Sequence, residues 1–401
     1  MVKKILRSYD YSLLFVYLIL SVFGLVMVYS SSMVIAVQIY GEESDYFFHK
    51  QTVNFLLSFF VFLLFAAVPY KLYKSNKFLV PMVLLSLFAL LSLFFFGNVV
   101  NNAQSWFMLG ARSIQPSEFV KLAVIIYLAA VYAKKQAYIH DFNKAVAPPL
   151  VFLILSCFLT AVQPDIGTAI IIFFTGAVII FCSGMGWKNI FRLVMIFAVL
   201  AVVFSPIILA KRDVIFSEER LGRIYGYLDP FAYEQGEGHQ LVNSYLAIGS
   251  GGWKGLGLGR SIQKLGYLPE AHTDFIMAII AEELGVFGVL FVIGSLAYIV
   301  LRGIFIGLRC RDPFGSLLAF GISGMIGIQA FINLGGVSGL IPITGVTLPF
   351  VSYGGSSLLM LGMAMGILMN VAMFTNYERK HAKKRKEQGS LFKFRERVYG
   401  R

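Results

Sequence analysis

Apolar residues in this chain come in long stretches, each approaching the roughly 20 residues that a helix needs to cross a bilayer. They lie near 11–36, 52–70, 78–97, 116–133, 147–163, 165–184, 189–210, 273–301, 315–340 and 352–375. The pattern predicts an all-α polytopic membrane protein of about ten transmembrane helices, the fifth and sixth divided only at Gln163-Pro164. One large loop, 211–272, separates the seventh from the eighth. The organisation is then a short N-terminal segment 1–10, a membrane domain 11–376 and a tail 377–401. The first stretch follows Lys3, Lys4 and Arg7, is too long for the core of a cleaved signal and lacks a small-residue cleavage site, so it reads as a retained anchor.

Composition agrees with a membrane solvent: 58% of residues are hydrophobic and 14% charged, against roughly 25% charged in a soluble domain. Positive charge sets the orientation. Lys3, Lys4 and Arg7, then Lys71, Lys74 and Lys77, then Lys134, Lys135 and Lys144, then Lys188 and Arg192, then Arg302, Arg309 and Arg311, and last the tail from Arg379 to Arg401 all fall on one side. Both termini are therefore expected in the cytoplasm, and the net charge of +13 is mostly topology plus that tail. Beside a membrane exit, ERKHAKKRKEQG reads as a contact for anionic lipid or a cytoplasmic protein, with no nucleic acid as partner. Cys157, Cys182 and Cys310 offer neither a disulfide framework nor metal spacing, and five scattered histidines offer no His-built metal site.

With the sides assigned, four polar clusters fall at the outer face. QPSEFVKLA opens the fourth span, with Pro116 suited to a first helical turn and Glu118 and Lys121 three apart on one face. These two form either a self-neutralising pair that positions the helix or part of a site. QPDIGTA, between spans five and six, sets Asp165 at a similar depth, as a helix N-cap, as a second acid that Lys121 bridges, or as an extra charge that awaits a cation or substrate. GLIPITGVTLPFVSYGGSS, 339–357, carries two prolines and repeated glycines, so it cannot be a regular lipid-facing helix and should line a cavity or lie buried in protein. Its Thr344, Ser352, Tyr353, Ser356 and Ser357 are neutral hydrogen-bonding groups of the sort that hold sugars, unless the break serves packing alone.

The fourth cluster is the 211–272 loop and the helix it enters. Gly249–Gly259 resembles a phosphate loop in composition, yet it lacks the GK[ST] ending and faces away from cytoplasmic nucleotides, so it reads as pliable backbone. GYLPEAHTDFIMAIIAEELG, 266–285, then places Asp274 where the loop plunges into an apolar helix, and an acid at such a border is a functional candidate. At 100° per residue Glu282 stands about 80° from Asp274 on the helix wheel and Glu283 about 180°, so neither shares its face fully, and both are expected to pair inside the bundle.

An outer-face site has no ATP, so a bond-forming reaction there must use a donor already activated in the membrane. A lipid diphosphate fits: its leaving group is a stable anion that needs cationic help, and a single base suffices, unlike the acid and base of glycoside hydrolysis. Asp274 would take the proton of an acceptor hydroxyl. The competing reading is an acid held in a first turn by the helix dipole, and whether the dipole lowers its pKa or desolvation raises it stays open in the sequence.

GARSIQPSEFVK, QPDIGTA, GYLPEAHTDFI, AEELG and PITGVTLPFVSYGGSS, in this order, resemble the SEDS family of FtsW, RodA and SpoVE over essentially the whole membrane region. The resemblance implies a ten-helix peptidoglycan glycosyltransferase that polymerises lipid II outside the membrane beside a class B penicillin-binding protein. The essential aspartate of the family falls on Asp274, and the Glu and Lys of its QPSEFxK motif on Glu118 and Lys121. The basic tail and PEAHTDFI are similar to the division branch, which implies the septum and other divisome proteins. In that reading undecaprenyl-diphosphate-linked glycan is the donor, the 4-hydroxyl of the GlcNAc of lipid II attacks its anomeric carbon with inversion, and Asp274 is the base. Arg212, Arg220, Arg223, Arg260 and Lys264 form a pool for the diphosphate, a task that a divalent cation (Mg or Mn) could share. A lipid II flippase, a noncatalytic scaffold, and the elongation or sporulation paralogue of the same family are the alternatives.

Overall fold

The computed structural model describes residues 5–100, 103–109, 112–195, 222 and 225–399, with 98–100, 103, 104, 109, 112 and 381–399 by their backbone alone. Helices dominate: α1 (Tyr11–Gln38), α2 (Tyr46–Ala67), α3 (Asn76–Phe96), α4 (Pro116–Lys134), α5 (Ala147–Val162), α6 (Ile166–Cys182), α7 (His239–Gly251), α8 (Ile276–Arg309), α9 (Pro313–Val337) and α10 (Gly355–Tyr399). Among the described residues eight helical segments are long and apolar enough to cross a membrane, with α6 a shorter apolar one. The division at Gln163-Pro164 is real, since α5 ends at Val162 and α6 starts at Ile166. The seventh expected span falls mostly outside the described residues, which show helix over 187–195. Two elements went unforeseen: a three-stranded antiparallel sheet, β1 (Asn98–Val100), β2 (Ala103–Leu109) and β3 (Arg112–Ile114), and α7, which lies inside the large loop. Helix α10 continues past residue 376, into the segment 377–401 read as a tail.

Packing follows small residues. On α10 a Cβ at Gly362 would stand 2.6 Å from the Ser58 carbonyl and one at Gly366 2.6 Å from the Phe62 carbonyl, so α2 and α10 meet backbone to backbone. The Ser58 hydroxyl donates to the Leu358 carbonyl across the same seam at 2.6 Å. The segments that positive charge assigns to one side do gather at one end. There Arg302 Nε donates to Asp10 Oδ2 at 2.8 Å, Tyr70 donates to Asp312 at 2.9 Å, and Asn370 donates to the Ala66 carbonyl while accepting from the Tyr70 amide.

At the other end α8 is broken. Gly285 has φ +63° and ψ −156°, a conformation open essentially to glycine alone. The break leaves carbonyls without helical partners, and the glycine-rich loop supplies them: Leu256 N–H donates to Glu282 O and Gly257 N–H to Glu283 O, both at 2.9 Å. A Cβ on Gly255 would lie 2.2 Å from the Glu283 carbonyl, so the loop needs glycine for this approach. The phosphate-loop look of this segment is therefore a backbone seam on α8.

Candidate functional site

Asp274 sits two residues before α8, in a turn organised by the Glu270 carbonyl, which accepts from the Thr273 and Phe275 amides at 3.1 and 3.2 Å. Three successive carbonyls then pin the segment to its neighbours. His272 O accepts from the Tyr353 amide at 2.9 Å, Thr273 O from the Ser352 hydroxyl at 2.5 Å, and Asp274 O from Asn333 Nδ2 at 2.7 Å. The Asp274 side chain points elsewhere, into a narrow cleft lined by Phe275, Ile332, Gly336, Ile343, Thr344 and Gly345. Among the described residues no donor reaches its carboxyl, and the N-cap position of α8 belongs to Phe275. The capping reading of Asp274 therefore has no hydrogen bond to support it.

Burial raises the Asp274 carboxyl to about 7, and the like charge of Glu270 adds to the shift. Both causes act upward, the direction that desolvation alone would give. His272 is buried against Phe47 and Tyr353, and burial lowers its pKa despite the opposing pull of Glu270, so its imidazole is neutral at pH 7. Glu270→Gln removes the repelling charge, so the Asp274 pKa should fall and the pH–rate profile should move toward acid. Activity at pH 6 relative to pH 8 is expected to rise; an unmoved profile would separate Glu270 from the titration.

Glu118 and Lys121 support this segment through α9. Lys121 Nζ, on a side chain 1% exposed, donates to Glu118 Oε1 at 2.9 Å and to Gln329 Oε1 at 3.1 Å. Gln329 in turn donates to the Thr347 carbonyl at 3.1 Å, and one helical turn on, Asn333 donates to the Val346 carbonyl at 2.8 Å as well as to Asp274 O. The broken 339–354 segment and the Asp274 turn thus hang from one row of amides on α9. Neither amide was singled out in the sequence, although a lone Gln and Asn in so apolar a span is the signal that finds them.

The expected bridge from Lys121 to both acids does not form. Asp165 accepts instead from Gln115 Nε2 at 2.7 Å, from the Ser117 hydroxyl at 3.3 Å and from the Thr168 amide at 3.1 Å, the last as the N-cap of α6. The reason is depth: Lys121 lies a full turn, about 5–6 Å, farther along α4 than Ser117. The serines expected to face a sugar are likewise engaged within the protein. Ser352 Oγ accepts from Leu348 N–H and donates to Thr273 O, and Ser356 Oγ accepts from Gln115 N–H and donates to Ser113 O. A broken helix frees backbone groups that lipid cannot satisfy, and hydroxyls with one proton each are spent on them. Tyr353 packs edge-on against Phe47 at 5.2 Å, and Thr344 remains beside Asp274 in the cleft.

Of the basic pool, Arg212, Arg220 and Arg223 lie outside the described residues, and Arg260 is exposed. Lys264 is withdrawn from it. Its Nζ donates to Glu283 Oε1 at 2.6 Å and to Ser30 at 3.0 Å, with side chains 2% and 0% exposed in the ion pair. Glu282 accepts from the Ser261 hydroxyl and from the Ile262 amide, so both glutamates pair inside the bundle as expected. Among the described residues no three His, Cys, Asp or Glu side chains gather as a metal site.

Known proteins resemble this chain over most of its length. The family described as "Cell cycle protein", which spans FtsW, RodA and SpoVE, matches residues 11–377. The chain is 57% identical over 384 residues to the probable peptidoglycan glycosyltransferase FtsW of Bacillus subtilis (strain 168), covering 96% of this chain and 95% of that one. It is 39% identical over 380 residues to the stage V sporulation protein E of the same strain, covering 92% and 98%. Among solved structures, a chain from a peptidoglycan synthase complex that coordinates polymerization and crosslinking matches with TM-score 0.72 at 25% identity, over 92% of this chain and 98% of that one. The rod shape determining protein RodA of Thermus thermophilus matches with TM-score 0.65 at 26% identity, over 91% and 96%. Because the match begins with α1 and takes in every segment pinned around Asp274, this chain belongs to the FtsW/RodA/SpoVE family.

Proposed function

We propose that this chain is a peptidoglycan glycosyltransferase that polymerises lipid II on the outer face of the cytoplasmic membrane, with Asp274 as the general base. The observation that carries the reading is the Asp274 carboxyl itself: free of donors among the described residues, open to a cleft and raised to about 7. A base whose pKa lies near the working pH combines a large ionised fraction with real proton affinity. Asp274 takes the proton as the GlcNAc 4-hydroxyl of lipid II bonds to the anomeric carbon of the donor glycan. The bond from that carbon to the diphosphate breaks, and undecaprenyl diphosphate leaves with the electron pair. Arg260, together with Arg212, Arg220 and Arg223, is the cationic pool for that leaving group, and a divalent cation sharing the task would arrive on the diphosphate.

The identity to a Bacillus FtsW, higher than to the sporulation protein, favours a role at the division septum with divisome partners. The likeness to a chain of a polymerising and crosslinking complex favours a class B penicillin-binding protein as partner. In this reading the charged end that holds Asp10, Arg302 and Asp312 faces the cytoplasm, with both termini inside. The reading is tested by giving purified protein and its transpeptidase partner lipid II in detergent, where no leaflets exist and a flippase has no task. Glycan polymer is the expected product. Translocation of lipid II in liposomes with no polymer under any cation condition would overturn the assignment.

A further inference from the structure

A second site lies at the opposite end of α4 from Glu118 and Lys121. The N-terminal half of α3 and the C-terminal turns of α4 diverge to leave a groove of about 510 Å3. Its walls are apolar, formed by Leu79, Val83, Leu84, Tyr127 and Val131, and its mouth is cationic, formed by Lys134 and Lys135. Leu84 is 62% exposed, so the groove opens sideways toward the surroundings of the helices. Lys134 Nζ donates to Asn76 Oδ1 at 2.6 Å and Lys135 Nζ to the Lys144 carbonyl at 2.5 Å. These bonds steady each ammonium while leaving further N–H groups to donate. Among the described residues neither lysine is paired with a carboxylate; Asp141, on the adjoining loop, pairs with Lys144 at 3.8 Å. Lys74 stands close enough to Lys134 to repel it. The mouth therefore holds uncompensated positive charge above an apolar trough, at the membrane end that the positive-charge pattern places in the cytoplasm.

We propose that this groove binds one anionic phospholipid of the cytoplasmic leaflet, with an acyl chain along α3 and α4 and the phosphate between Lys134 and Lys135. Charge complementarity selects the occupant. A neutral lipid leaves the repulsion among these lysines unrelieved, and a soluble anion leaves the trough unfilled. Basic pockets between helices at the cytoplasmic side are the general form of such sites. Along the helix Lys134 stands about 20 Å from Lys121, so occupancy is separate from the proposed chemistry at Asp274.

Native mass spectrometry of the full chain, released from detergent with equal phosphatidylglycerol and phosphatidylcholine, reads the site directly. One phosphatidylglycerol should be retained over phosphatidylcholine by roughly thirtyfold, the scale expected for two lysines near a lipid headgroup. The double variant Lys134→Gln/Lys135→Gln should bring that preference to within about threefold, whereas Lys134→Arg/Lys135→Arg keeps it. Val83→Trp, which fills the trough and spares the lysines, should release the lipid. Equal retention of the two lipids by the unaltered protein overturns the proposal, as does retention by the Gln pair or by Val83→Trp. Displacement of the lipid by millimolar inorganic phosphate also overturns it, since a free anion would then be the occupant. Should the Gln pair fail to fold, the lipid preference and the phosphate competition of the unaltered protein still decide.

Discussion

Asp274→Asn is expected to cut polymerisation by at least about a hundredfold, the lower range of general-base catalysis, while the protein stays folded. Asn keeps the shape of Asp but takes no proton in the working range. The three pins on 272–274 use main-chain carbonyls, so they survive the exchange. A stability measurement gives the same change an independent signature. A carboxyl raised to about 7 in the fold, from an ordinary value of 3.8, favours the folded state at low pH. That contribution is fully present below the unfolded value and is lost as pH rises through about 7. Asn removes the buried charge, so the variant should melt above the parent at pH 8 and with it at pH 4. Polymerisation within tenfold of the parent, in a folded Asn variant, would take the role of base away from Asp274.

Lys264→Met should lower stability by about 3–5 kcal/mol, because it leaves the carboxylate of Glu283 buried without its cation. Ser30 and the Ser261 amide would remain as donors to Glu283, which is too little for a full charge. Adding Glu283→Gln removes the charge as well, and the double variant should recover most of the lost melting temperature. A single variant that melts like the parent would show the pair to be dispensable and would return Lys264 to the pool for diphosphate. Turnover measured beside melting separates these cases.

The spans that fall within the described residues were legible because lipid imposes one length and one polarity on every crossing helix, and even the narrow break at Gln163-Pro164 was readable from its proline. Strands β1–β3, of three, seven and three residues, escaped, since elements so short leave no trace in a pattern sought over membrane lengths. Asp274 was legible as an acid at a polarity border. Its freedom from donors was not, because that depends on Phe275 taking the cap position and on which way the turn at Glu270 aims the side chain. The partners of three site candidates escaped the sequence for one cause. Ser352, Ser356 and Lys264 were read by what their side chains offer a ligand, whereas burial obliges the protein to use those same groups for its own freed carbonyls, amides and carboxylates. That obligation belongs to contacts between separate elements, such as Ser352 with Thr273 and Ser30 with Glu283, and no local pattern records it.

The pins on residues 272–274 make the proposed reaction centre an address rather than a side chain. What fixes its place in space is written in Asn333, in Ser352 and in the amide of Tyr353, while position 274 itself contributes only a carbonyl that every amino acid carries. A chemist could therefore install another group there, a thiol by Asp274→Cys for instance, and find it delivered to the same point of the cleft for labelling or crosslinking. The reverse exchange, with Asp274 kept and Asn333 replaced by Leu, would leave the carboxylate present and misplaced.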